Sequence, residues 1–114
     1  MATKHNREFG VPYGYVRCST LHLDPLVAEQ VRAIFALASR GVPVKALTVD
    51  FSSGGTVDRA GLRGLIEAAK RGLVSEVVVS DPSRLARSHI ELEHLLRQFD
   101  ALGVRVTFGS QVGR

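Results

Sequence analysis

Arg17 and Ser19 stand two residues apart in the stretch YVRCST, where an apolar run gives way to a loop. On an extended chain alternate residues share a face, so the guanidinium and the hydroxyl point one way while Val16 and Cys18 point the other. A serine hydroxyl is a weak nucleophile unaided. An adjacent guanidinium stabilises its alkoxide and also grips a phosphate through two parallel hydrogen bonds. The chemistry this pair suits is phosphoryl transfer. On these letters alone, the stretch equally describes a surface cation leading into a turn.

Two later stretches add to it. In SSGGTVDR, residues 52–59, glycines and hydroxyls leave backbone amides able to approach a phosphate closely, with Ser53 and Arg59 as the side chains of interest. The lysine-hydroxyl ending of a Walker loop is missing, and taken alone the stretch also fits a plain strand-to-helix connection with Asp58 near a helix N-terminus. In DPSRLARS, residues 81–88, Arg84 and Arg87 are three apart, which on a single helical turn turns both toward one phosphate. His5, His22, His89 and His94 do not suggest a metal centre. The last two diverge on a helix, and Cys18 is the single cysteine.

The elements that must carry these residues follow from hydrophobic pattern and punctuation. Residues 1–12 read as a disordered leader closed by Pro12. Residues 13–18 are short, aromatic and β-branched, and apolar on both faces, which predicts a central strand with Ser19 at its carboxyl end. Asp24 as N-cap and Pro25 at the first helical position open a helix whose Val27, Val31, Ile34, Phe35 and Ala38 recur at helical spacing, ending at Gly41. Residues 42–51 form a second strand with Val44, Leu47 and Val49 buried, and strand, helix, strand predicts a right-handed crossover and a parallel pair.

Leu62, Leu65, Ile66 and Ala69 mark a second helix ending near Gly72, before a third strand at 76–80. Ser88 and Glu91 form a capping box for a third helix carrying Leu92, Leu95, Leu96 and Phe99. Gly103 closes that helix ahead of a last strand at 104–108. The plan is β-α-β-α-β-α-β, an α/β fold, and every candidate residue lies at or after a strand's carboxyl end, where open α/β sheets form sites.

A length of 114 residues is one domain. A content of 45% hydrophobic and 23% charged residues excludes a disordered chain. The net charge of +4 permits a polyanionic partner without demanding one. A lone cysteine allows no internal disulfide, and with no signal-peptide pattern or long apolar run the expectation is a soluble cytoplasmic protein without a membrane partner.

Taken together, YVRCST, SGGTVDR, and SRLARS followed by a leucine-rich helix and GVRV resemble the catalytic domain of the serine recombinases, the resolvase and invertase family, over residues 13–108. The resemblance implies a three-layer sandwich, a mostly parallel central sheet with helices on both faces, spanning 13–110 with a short tail at 111–114. It implies an enzyme whose serine, matched by Ser19, attacks a DNA phosphodiester and leaves a 5′-phosphoserine link and a free 3′-hydroxyl. The family's arginines match Arg17, Arg59, Arg84 and Arg87, its loop serine matches Ser53, and its supporting glutamine matches Gln30. Guanidinium groups can stabilise the charge built on the equatorial oxygens without a metal, so no cofactor is expected. The family's partners are DNA, met at the phosphate backbone, and further copies of itself in a dimer and tetramer.

Two departures bear on activity. Ser83 stands where the family has an aspartate before the first arginine of the DRLxR-type segment, and the nearest acid is Asp81, which must swing in past Pro82 to replace it. The chain also stops at Arg114, ahead of the family's long helix and helix-turn-helix module, as a fragment or a minimal domain would. The longer loop after Ser19, with Leu21 and Leu23, is expected to pack inward. The competing readings are a resolvase-like domain that does not cut DNA and acts as an interaction or regulatory module, and a flavodoxin-like phosphate binder.

Overall fold

A computed structural model describes residues 10–18, 25–37, 41, 43–53, 56–57 and 59–109. The elements are β1 (Val11–Cys18), α1 (Pro25–Ala36), β2 (Ala46–Ser53), β3 (Thr56–Val57), α2 (Ala60–Lys70), β4 (Val74–Val79), α3 (Pro82–Leu85), α4 (His89–Ala101) and β5 (Arg105–Phe108). The sheet order is β3-β2-β1-β4-β5. β1, β2, β4 and β5 run parallel, and β3 turns back antiparallel on the end of β2. The sandwich has the expected three layers. Tyr15, Val77 and Val79 meet Leu62 and Leu65 of α2 and Leu95 and Phe99 of α4 on one face. Val16 and Val78 meet Ile34 of α1 and Leu37 just beyond it on the other.

β1 is central because it buries both faces, with Tyr15 and Val16 each at 0% exposure. It begins at Val11, inside the stretch expected to be a leader. Val11 N–H donates to Leu73 O at 3.1 Å, and Lys45 N–H donates to Pro12 O at 2.9 Å. A proline is tolerated in this central strand because the β1/β4 register slips between Val11 and Pro12, so the missing N–H falls at an irregularity.

Several expectations are corrected. Phe35 is exposed, because the buried stripe of α1 runs through Gln30 and Ile34 to Leu37, and Phe35 lies one residue off it. β2 starts four residues later than expected, at Ala46, and continues through Ser53. Leu47 is exposed because α1 lies over β1 and β4 rather than β2. The expected loop at 52–59 includes a hairpin, pairing Ser52 with Val57 and Ser53 with Thr56. α2 and α4 end as read, with Gly72 and Gly103 both at φ 78, a conformation that favours glycine.

Candidate active site

The site is built at the carboxyl edge of the sheet, where β1 outruns β4. Tyr15 is the last β1 residue paired to β4, opposite Val79. Arg17 therefore has β2 on one side and no strand on the other. Gln30 of α1 takes the place of that strand: Arg17 N–H donates to Gln30 Oε1 at 3.1 Å, and Gln30 Nε2 donates to Arg17 O at 3.0 Å. Gln30 is 3% exposed, so its amide holds both backbone groups of Arg17 away from water. Ser19, Thr20, Leu21, Leu23 and Asp24 lie outside the described residues, as do Gly54, Gly55 and Asp58.

Arg17 and Arg59 converge on α3. This helix has four residues, and its backbone bonds run from Arg84 N–H to Asp81 O at 3.0 Å and from Ala86 N–H to Pro82 O at 3.1 Å. Its last carbonyls would be orphaned. Arg17 supplies donors to two of them, Nη2 to Ser83 O at 2.5 Å and Nε to Arg84 O at 3.1 Å. Arg59 Nη2 supplies the third, to Leu85 O at 2.5 Å. Two cations thus complete the helix that carries Arg84, whose Nη1 returns a longer contact to Arg17 O at 3.4 Å. The expectation that Arg84 and Arg87 share a helical turn is corrected. α3 ends at Leu85, Ala86 is extended at φ −146, and Arg87 sits exposed in the bend before α4.

A second network anchors Arg59. Its Nη1 donates to Glu91 Oε2 and its Nη2 to Tyr15 Oη, each at 3.1 Å, and its guanidinium carbon lies 5.7 Å from the Tyr15 ring centre. Tyr15 Oη donates to Asp50 Oδ2 at 2.7 Å. Asp50, 4% exposed, also accepts from Gly61 N–H at 2.6 Å and Leu62 N–H at 2.9 Å. The carboxylate of β2 thereby caps α2, whose preceding residue Arg59 makes no side-chain cap. Gly61 is required there, since a Cβ would lie 2.7 Å from Asp50 Oδ1.

The electrostatics reflect this crowding. Burial lowers the Arg17 pKa below its usual value, and the charges of Arg59, Arg87 and Arg84 lower it further against an opposing contribution from Tyr15. Tyr15 is pushed above its usual value, first by burial and then by its bond to Asp50, with Arg59 opposing. A set of mutually repelling guanidinium groups at one sheet edge is a site prepared for a polyanion.

Asp81 does not swing toward the site. Its Oδ1 accepts from Ser83 N–H at 2.9 Å and from the Ser83 hydroxyl, capping α3 with Pro82 at the first helical position. Ser83 is exposed.

The chain matches the family description "Resolvase, N terminal domain" over residues 12–113. It belongs to the resolvase family. It is similar to the transposon Tn3 resolvase of Escherichia coli, 34% identical over 96 residues, which cover 84% of this chain and 48% of the relative. The chain spans about half the length of the curated relatives it matches. Among solved structures it is similar to a resolvase family site-specific recombinase from Streptococcus pneumoniae, with a TM-score of 0.75 and 22% identity, covering 89% of this chain and 72% of that one. It is also similar to a serine recombinase from Sulfolobus solfataricus, with a TM-score of 0.70 and 25% identity, covering 92% and 71%.

Of the residues singled out from the sequence, the fold gathers Arg17, Gln30, Arg59 and Arg84 by direct bonds and brings Arg87 within electrostatic reach. Ser53 ends β2 at the same edge. Sequence reasoning missed Tyr15, Asp50 and the second use of Glu91. A signal existed for Asp50, a carboxylate between the apolar residues Val49 and Phe51 of the expected second strand.

Proposed function

We propose that this chain is the catalytic domain of a serine site-specific DNA recombinase, with Ser19 as the nucleophile. The observation that carries the reading is the convergence of Arg17, Arg59 and Arg84 at the end of β1, with Arg87 close enough to act on Arg17 electrostatically. In the step proposed, Ser19 Oγ bonds to phosphorus as the bond from phosphorus to the 3′ oxygen breaks. The serine proton is released and the 3′ oxygen gains one, so a 5′-phosphoserine link and a free 3′-hydroxyl result. The guanidinium groups meet the charge that grows on the equatorial oxygens. Ser53, which matches the family's loop serine, is assigned to the phosphate together with Arg59. Phosphate contacts carry no base sequence, so site choice, like assembly into a dimer and tetramer on DNA, rests on parts of the protein outside this domain. Such a protein works in the cytoplasm.

The test is covalent capture. The chain is joined to a DNA-binding module, presented with DNA carrying that module's sites, and quenched during reaction. The expected result is a protein–DNA adduct that Ser19→Ala abolishes. An adduct that survives the alanine change removes Ser19 as nucleophile. A second reading, a resolvase-like interaction module that does not cut, is favoured by one observation. The carboxylate nearest the missing family aspartate, Asp81, is committed to capping α3. Absence of any adduct in the assembled protein selects that reading.

A further inference from the structure

Glu91 is the first-turn acid of α4, and its capping role was legible from its spacing to Ser88. Its carboxylate does more than cap. The Ser88 hydroxyl accepts from Glu91 N–H at 3.1 Å, the expected half of a capping box. The returning half is displaced by one residue, because Glu91 Oε1 accepts from Arg87 N–H at 2.8 Å. The other oxygen, Oε2, is left to receive Arg59 Nη1 at 3.1 Å. One carboxylate therefore ties the backbone of one site arginine to the guanidinium of another.

The position of Arg59 is determined from several directions. Glu91, Tyr15 Oη and Leu85 O each take a donor, while Arg59 Nε is buried with no partner among the described residues. A buried orphan donor costs free energy and persists only where other bonds over-determine the group. Among the described residues Glu91 is the acid that forms an ion pair with Arg59.

The geometry points to Glu91 as a positioning residue of the site: its carboxylate fixes the Arg59 guanidinium and the Arg87 backbone together, so that both cations meet one phosphate in register. This rests on the recombinase reading. A fixed acid beside two phosphate-binding cations weakens their attraction for DNA as it orders them, so its loss has opposite effects on binding and on chemistry. A residue that merely stabilised α4 would weaken both together.

The test is Glu91→Gln, which keeps a residue suited to the capping box and removes the charge. Glu93→Gln serves as the control. Glu93 lies on the same helix, is exposed, pairs only at 3.6 Å with Arg97, and loses the same charge. In the module-joined protein, Glu91→Gln is expected to bind its DNA at least as tightly as wild type while forming the Ser19 adduct about tenfold more slowly or worse. Glu93→Gln is expected to form it at the wild-type rate. In parallel, nitrogen NMR of the 114-residue chain reads the Arg59 Nη resonances. They are expected to be separate in wild type, where the guanidinium is locked, and merged in Glu91→Gln.

Adduct formation equal in the two variants overturns the proposal. So does a slow adduct with Arg59 resonances unchanged, or a loss of binding that matches the loss of rate. If wild type gives no Ser19-dependent adduct, the recombinase reading fails, and the Arg59 resonances alone then decide whether Glu91 holds the guanidinium.

Discussion

Arg17 and Arg59 differ from Arg84 and Arg87 in what their guanidinium groups hold. The first two reach inward from separate segments and end on the carbonyls of α3. Arg84 rides on α3 and gives only a 3.4 Å contact to Arg17 O, and Arg87 is exposed beyond the helix. The first pair builds the platform and the second pair is presented by it. A helix of four residues cannot satisfy its own carbonyls, and the cations that satisfy them are ones proposed above to meet the phosphate. Under that proposal, scaffold and chemistry are inseparable at Arg17 and Arg59, and separable at Arg87.

The sharpest break of that comparison is Arg17→Ala. It leaves the Ser83 and Arg84 carbonyls unpaired, so the chain is expected to lose about 2–4 kcal/mol in urea denaturation, together with the adduct. Stability like wild type would show that α3 does not depend on the clamp. A smaller effect is expected from Tyr15, which shares Arg59 with α3. Its pKa is raised in the fold, so its contribution is complete below the ordinary tyrosine value of about 10 and is lost as pH rises beyond that. Tyr15→Phe should therefore flatten the decline of stability with pH on the alkaline side, and an unchanged slope would exclude a titrating Tyr15 from the network. The smallest effect on stability belongs to Arg87→Ala. A change within about 0.5 kcal/mol is expected, alongside a strongly reduced adduct yield. A large loss of stability there would erase the distinction between the two pairs.

Much of this was legible because it is local. Ser88 with Glu91, Gly72, Gly103 and the valine run at 77–79 are signals read within one helical turn or one strand, and the element order followed from them. What escaped is non-local. Asp50 caps a helix that starts ten residues later, Gln30 acts as a missing strand for Arg17, and α3 stops after four residues where Ala86 turns extended into the core. None of these has a periodicity. Phe35 and Leu47 misled because a hydrophobic residue is not required to be inside: Phe35 lies off the buried stripe of α1, and Leu47 lies on β2 beyond the strands that α1 covers. The arginines were found as letters of a motif, while their use as helix ends depended on coordinates.

The clamp on α3 also sets when the site can exist. Arg17 and the carbonyl of Arg84 are 67 positions apart, and the ion pair of Arg59 waits for a residue 32 positions further on. During synthesis the segment leading to the serine emerges first, and the partners that order its arginine emerge last. A nascent or truncated chain ending before Glu91 therefore carries Ser19, the proposed nucleophile, without the arranged cations. The arrangement proposed to meet a phosphodiester arises only with the completed domain, as a late product of folding rather than an early one.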